Sequence, residues 1–474
     1  MDSPIQFIHF IEANFILFLC QLFSIFIILK LIVDKKSASN ILAWVLGILF
    51  IPYIAIPFFF LFQRKNRRSL WQKSDMDINT KCSEQTTPQQ CRKLNLPEPV
   101  ISVFSSLGLN TLTSNNTFDM YTNGVDSYNS FTEALNSAII SIYIQTYVFK
   151  NDETSKNIIS ILEKKASEGI DVKVLIDSLG SFYVYRHNKR IFKNLRVLGA
   201  TVVFFMPVLS NPFRNYINFR NHRKIYLIDQ SIAFSGGMNI GNEYMGPHED
   251  KTMWEDLLFK ISGEAVNHFT SVFVSDWRFA TKEEIDITTI CSVSHNTNYM
   301  EVIPSGPDMQ DQLYVGILTS INSAKEKLWI ITPYLVPSQE LLQSIMIAKY
   351  RGVDVKIITP KKSNHKIVDK ARNSYSRELS KIGVDIHYTE HMLHAKAILI
   401  DDNLAMVGSV NLDNRSLFLN YEIATFLYSQ ESVAKLYSWA DKILKETSKD
   451  QNHISNKPSS LFVESIVKVL TPLM

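Results

Sequence analysis

Cysteine is scarce: four residues in a chain of 474, at Cys20, Cys82, Cys91 and Cys291. That excludes a scaffold built on disulfides. With no C-x-x-C pair it also argues against a cysteine zinc site. Net charge is scarce too. Lysine plus arginine total 49 against 46 aspartate plus glutamate, a balance of +3. This excludes a globally basic nucleic-acid binder and an acidic disordered tail protein, though not a local basic patch. The length allows about three units of ordinary domain size, and a hydrophobic content of 46% suits a folded core.

Charge is also missing from two long apolar runs. Residues 14–33 carry only Lys30, and residues 41–62 carry no formal charge. Each is long enough to cross a hydrocarbon core, which takes about 20 helical residues. A cleaved signal peptide fits poorly, because Asp2 and Glu12 precede the first run and no lysine or arginine does. A buried soluble hairpin is the other alternative. Pro52 and Pro57 would kink the second helix, which membrane helices tolerate. The expectation is a membrane hairpin over residues 1–66. Arg64, Lys65, Arg67 and Arg68 follow the second run. Positive-inside logic then puts both chain ends in the cytoplasm, giving a multi-pass protein of the inner (cytoplasmic) membrane. Residues 67–100 are polar and read as a tether.

Beyond the tether the chain repeats itself. Ser137-Ala138 leads into the apolar run Ile142 to Val148, and Ser323-Ala324 leads into Leu328 to Val336. Gly169-Ile170-Asp171-Val172-Lys173 is echoed by Gly352-Val353-Asp354-Val355-Lys356, and Leu198-Gly199 by Ile382-Gly383. Strand-like runs alternate with helix-like stretches such as Ile158 to Ala166 and Leu341 to Ala348. The pattern predicts an α/β chain with a mostly parallel core sheet in each of two lobes, 101–285 and 286–474.

One motif occurs once per lobe at identical spacing. His222-x-Lys224 is followed by Asp229 and then Gly236-Gly237-Met238-Asn239; His394-x-Lys396 is followed by Asp401 and then Gly408-Ser409-Val410-Asn411. In a strand, residues two apart share a face, so each histidine and lysine point the same way. Asp229 and Asp401 fall in turns, and the returning strand brings each asparagine back beside its histidine. Two such patches facing one another give two imidazoles, two ammonium groups and two amides around one anion. That is a phosphoryl-transfer site needing no metal or cofactor.

These residues resemble the phospholipase D superfamily, whose signature is this motif in duplicate, and within it the bacterial cardiolipin synthase family. Asn221-His222-Arg223-Lys224 through Asn239-Ile240-Gly241-Asn242-Glu243-Tyr244, the segment Ser305-Gly306-Pro307-Asp308, and Leu393-His394-Ala395-Lys396 through Asn411 to Ser416 carry the likeness, as do the paired N-terminal runs. Glu255, Asn242 and His391 depart from the usual arginine, aspartate and glycine. The resemblance implies two phospholipase D-like lobes sharing one site. It implies phosphatidyl transfer between two phosphatidylglycerol molecules through a phosphohistidine, giving cardiolipin and glycerol, with no nucleic-acid partner. It assigns catalysis to His222, Lys224, Asp229, His394, Lys396 and Asp401, with one histidine as nucleophile and the other as acid and base; His222 is taken as the nucleophile, a choice the two-fold pseudosymmetry leaves open. Asn239, Asn411, Gly237 and Ser409 fall to substrate binding, and Asp256 and Glu422 to orienting the histidines. Asp229 and Asp401 are equally readable as residues that only fix the turn. The alternatives are a hydrolase or a transferase with another donor or acceptor, a nuclease of the same superfamily, and a non-enzymatic membrane scaffold.

Three further features stand out. Arg214, Arg220 and Arg223 alternate with Phe213, Tyr216 and Phe219, as a headgroup-contacting loop or simply an exposed basic one. Lys361, Lys362, Lys366, Lys370 and Arg372 read as a solvated helix face. Leu461 to Leu470 carries Phe462, Ile466 and Val469 at helical spacing and is expected to dock on the protein.

Overall fold

The computed structural model describes residues 15, 18, 21–30, 38–51, 53, 55, 91, 94–109, 111–209, 218–289, 298–449, 454 and 457–470. The chain divides into two units, Met1–Gln72 and Lys73–Met474. In the first, residues 21–30 and Ala38–Phe50 are helical. Ile27, Ile48 and Ala55 are buried against Trp44. Phe26, Leu29, Leu49 and Phe50 are 54–76% exposed. Among the described residues no helix is long and apolar enough to cross a membrane. Much of the expected spans 14–33 and 41–62 lies outside the described residues.

The second unit holds the duplication. Its first sheet is built from β1 (Asn116–Tyr121), β2 (Ser141–Thr146), β3 (Asp171–Asp177), β4 (Thr201–Phe205), β5 (Ile225–Ile228), β6 (Ile232–Gly236) and β7 (Leu258–Gly263), in the order β1-β7-β6-β5-β2-β3-β4. The second uses β8 (Met300–Ser305), β9 (Lys327–Ile331), β11 (Asp354–Pro360), β12 (Asp385–Thr389), β13 (Ala397–Ile400), β14 (Leu404–Gly408) and β16 (Glu422–Leu427); β10 (Leu335–Val336) and β15 (Leu412–Asp413) pair separately. Its order, β8-β16-β14-β13-β9-β11-β12, repeats the first strand for strand. The echoed glycines have a backbone reason. Gly169 and Gly352 each follow a helix, Glu153–Ser167 and Gln339–Tyr350, with φ of +85° and +90°, a conformation a side chain resists.

Two expectations need correction. The sheets are mixed: β2, β3 and β4 run parallel to one another, whereas β5, β6, β7 and β1 are paired antiparallel. The change of direction comes at β5, which enters antiparallel to β2, and the turn at Asp229 then sends β6 back antiparallel to β5. The lobe boundary also moves. Leu96, Val100, Ile101, Phe104 and Leu112 belong to the core of the second lobe, where Phe104 meets the Phe426 ring at 5.0 Å and Thr113 pairs with Met300. Leu96 and Val100, within the expected tether, are therefore packed on this lobe, while Leu94, just before them, is 42% exposed.

The basic stretches resolve differently too. Arg220 and Arg223 are fully buried. Arg220 pairs with Asp177 at 2.9 Å and Arg223 with Asp276 at 2.7 Å, and Phe219 is buried beside them. Arg214, Phe213 and Tyr216 lie outside the described residues. Arg372 is buried as well, donating to the Pro360 and Lys361 carbonyls, whereas Lys362, Lys366 and Lys370 are exposed. The C-terminal helix Pro458–Leu470 docks on the helix Lys366–Lys381 through ion pairs Glu464–Arg377 and Lys468–Glu378; Phe462 faces outward, 67% exposed.

Candidate active site

Each histidine stands just before its strand, at the end of the sheet where β2 and β9 finish. The two lobes are stitched together there by main-chain bonds. His222 N–H donates to the Tyr421 carbonyl at 2.9 Å, and Tyr421 N–H to the Arg220 carbonyl at 2.8 Å. On the other side His394 N–H donates to the Glu255 carbonyl at 2.7 Å, and Glu255 N–H to the Met392 carbonyl at 2.8 Å. Each histidine is thus laid beside the carboxylate of the opposite lobe. His222 Nδ1 is 2.9 Å from Glu422 Oε2, and His394 Nδ1 is 2.7 Å from Asp256 Oδ2. With Nδ1 donating to a carboxylate, the lone pair of a neutral imidazole is left on Nε2.

The lysines sit inside the same cluster. Lys224 Nζ donates to the His222 carbonyl at 2.7 Å, and Lys396 Nζ lies 3.0 Å from His394 Nδ1. Both are buried. Burial, opposed by Glu422 and Asp256, brings the Lys224 ammonium down to about 7 and the Lys396 ammonium down to about 8. Burial also pushes both imidazoles below the ordinary histidine range, with each neighbouring lysine adding to the effect, so both are neutral near pH 7. Burial alone would raise the Glu422 and Asp256 carboxyls; the histidines and lysines beside them outweigh it and hold both below the ordinary range. A bound phosphodiester anion would favour the charged lysines and draw in protons.

The supporting residues differ between halves. Glu422 also accepts from Ser409 Oγ at 2.5 Å and from Asn420 Nδ2 at 3.2 Å. A Cβ on Gly237 would stand 2.0 Å from Asp256 Oδ1, so only glycine leaves room for that carboxylate. Gly237 and Ser409, expected to touch substrate, stand against the two carboxylates. Asn239 Oδ1 accepts from Val148 N–H at 3.0 Å. Asn411 donates its amide to Ser416 at 3.2 Å, and its Oδ1 is buried without a partner among the described residues.

Asp229 and Asp401 are not in the cluster. They lie beyond strands β5 and β13, at the far end from the histidines. Asp229 accepts the main-chain N–H groups of Ile139, Ile140 and Ser141 at 2.7–3.2 Å. Asp401 accepts those of Lys325, Glu326 and Lys327 at 2.8–3.3 Å. Their φ values, 52° and 47°, suit aspartate in a turn. The catalytic assignment from the resemblance is corrected: these carboxylates fasten the hairpin to the strand beside it. Asp401→Ala should therefore cost about 2–3 kcal/mol of stability, read by denaturant unfolding, while the folded fraction keeps its turnover within a few-fold.

Aromatic walls complete the site, and of these Tyr147 and Trp254 were not singled out in the sequence. Tyr147 packs on His222 at 4.8 Å; Tyr244 and Trp254 pack on His394 at 5.4 and 5.2 Å. The duplication held a signal for one of them. Thr146 Oγ1 donates to the Val148 carbonyl and Thr332 Oγ1 to the Tyr334 carbonyl, so these threonines, at the offset of the Ser-Ala repeat, mark equivalent turns carrying Tyr147 and Tyr334.

The sequence model of the family described as cardiolipin synthase, PLD-like domain, matches residues 131–277 and 317–444, once in each lobe. The chain belongs to the cardiolipin synthase family. It is 34% identical over 93% of its length to a cardiolipin synthase of Clostridium perfringens, covering 96% of that protein, and 30% identical over 95% to one of Geobacillus kaustophilus, covering 92% of it. The fold also matches the crystal structure of a phosphatidylserine synthase of Haemophilus influenzae, with a TM-score of 0.61 at 15% identity over 79% of this chain and all of that one. The cardiolipin synthase family match falls on both histidine–lysine pairs and both orienting carboxylates.

Proposed function

We propose that this chain is a cardiolipin synthase, a phosphatidyltransferase that joins two phosphatidylglycerol molecules and releases glycerol. The observation that carries the reading is the pair of cross-lobe histidine–carboxylate dyads closed around two buried lysines. Lys224 and Lys396 neutralise the non-bridging oxygens of the donor phosphodiester. His222 Nε2 attacks phosphorus, forming a phosphohistidine, while His394, which takes up a proton drawn in with the bound anion, protonates the departing glycerol alkoxide from Nε2. His394 then takes the proton of the acceptor hydroxyl, which displaces His222 and forms the second phosphodiester bond. We assign His222 as the nucleophile and His394 as the acid and base; label trapped on His394 would reverse the roles. Deep burial of the reacting groups favours an alcohol acceptor over water.

The membrane placement belongs to the same reading. Residues 14–33 and 41–62 form a hairpin in the inner membrane with both lobes in the cytoplasm. The uncharged runs and the large apolar side chains left exposed in the first unit support it. The test is incubation of the purified chain with labelled phosphatidylglycerol in the presence of a chelator, with lipid products resolved. Cardiolipin and glycerol are expected, undiminished by the chelator because the lysines carry the phosphoryl charge. Phosphatidic acid without cardiolipin, or an obligate metal requirement, would sink the reading.

A further inference from the structure

We propose that the rim of the active site is itself a docking surface for an anionic lipid bilayer, separate from the N-terminal hairpin. The proposal rests on the phosphatidyl-transfer reading and adds how a bilayer-held substrate reaches the histidines. The rim has two halves, one per lobe, in equivalent places. In the first lobe the turn after β3 packs on Tyr147, the ring against His222. Ser181 Oγ donates to the Tyr147 carbonyl at 2.9 Å, and a Cβ on Gly180 would stand 2.7 Å from the Tyr147 ring. From that turn Leu179, Phe182 and Tyr183 project with 36%, 40% and 53% exposure. In the second lobe the turn after β11 packs on Tyr334, which donates to Asn364 at 2.5 Å and meets the His365 ring at 5.5 Å. From it Ile367 projects, 59% exposed.

Charge names the occupant. Residues 178–200 contain Arg186, Lys189, Arg190, Lys193 and Arg196 and no acidic residue, in a chain whose overall balance is only +3. Arg186, Lys189 and Arg190 are exposed on the helix that starts at Phe182, and Lys362, Lys366 and Lys370 are exposed around Ile367. The one carboxylate within that second turn, Asp369, is engaged with Arg372 and the Ser363 N–H. Apolar tips beside unneutralised cations, on both sides of one mouth, match the headgroup level of an anionic membrane: side chains enter the acyl boundary and cations meet phosphates. A protein partner would have to bridge both lobes across the mouth and block it.

The experiment uses the full-length chain in nanodiscs. Hydrogen exchange over 178–190 and 362–370 should slow in phosphatidylglycerol nanodiscs relative to phosphatidylcholine ones. Phe182→Ser with Tyr183→Ser, and Lys366→Glu with Lys370→Glu, should each lower kcat/KM roughly tenfold on bilayer-held phosphatidylglycerol. Both should leave turnover of a monomeric short-chain phosphatidylglycerol within twofold of the parent. Equal exchange in the two nanodiscs overturns docking, as does a variant that loses both substrates alike or neither. Slowed exchange that grows with protein concentration in detergent overturns it in favour of a second copy. A parent that turns over neither substrate yet shows the anionic protection refutes the transferase reading while upholding the docking surface.

Discussion

His222→Ala and His394→Ala are each expected to remove activity by roughly 10⁴-fold or more, and the double variant should be little worse, because groups acting as a unit are not additive. The geometry requires this. Each imidazole is held by the other lobe, His222 by Glu422 and His394 by Asp256, so neither lobe owns a complete site. Two independent sites would leave about half the activity in each single variant. The variants should differ in what they trap. With an activated donor, His394→Ala retains the nucleophile and should accumulate acid-labile, base-stable phosphate on His222, whereas His222→Ala should carry none. Label on His394 in the His222→Ala protein would reverse the roles. Activity regained by mixing the two single variants would mean that sites form between chains, against the one-chain geometry.

Glu422→Gln and Asp256→Asn are expected to lower kcat by roughly 10³–10⁴-fold with little change in KM. An amide can turn its N–H₂ to Nδ1 and strand the proton on Nε2, the wrong tautomer for attack. The main chain should hold, because Arg223 grips the Glu422 carbonyl at 3.1 Å, not its carboxylate, and Asp276 pins Arg223 from behind. The two variants separate by leaving group. With an activated phosphodiester whose alcohol departs without protonation, Asp256→Asn should recover much of its rate, since its defect lies with the acid; Glu422→Gln should not, since its defect lies with attack. Equal recovery in both would mean that the nucleophile is not tied to Glu422. Matching unfolding midpoints of both variants and the parent serve as the check that chemistry, not folding, has changed.

The duplication and the histidine–lysine spacing were legible because they are local: a two-residue strand period and glycines at repeated offsets survive in any register. What escaped was long-range. Pairing of His222 with residue 422 and of His394 with residue 256 follows from the lobes exchanging main-chain bonds across the junction, and no spacing encodes that. Arg220 and Arg223 read as a surface loop because three arginines among aromatics look solvated; Asp177 and Asp276, distant in sequence, are what bury them. Asp229 belongs to the motif by spacing, but its partners are the amides of the neighbouring strand's approach, so it earns its place through the hairpin. The parallel expectation failed for the same reason: alternation of strand and helix is visible in sequence, whereas the antiparallel entry of β5 beside β2 is a long-range pairing that no local pattern encodes.

Because the helix Glu98–Ser106 completes the core of the second lobe, that lobe is discontinuous along the chain, and this has a bearing on synthesis. Phe104 leaves the ribosome roughly 320 residues before Phe426, the ring it packs on. At about 5–20 residues per second the interval is on the order of 15–60 seconds. Through it Val100, Ile101 and Phe104 wait unburied while the first lobe folds between the two parts of the second. A protein cut at residue 285 would never close this circuit: the C-terminal piece would present an open hydrophobic slot along Gly316 and Phe426, and the N-terminal piece an orphan helix seeking one.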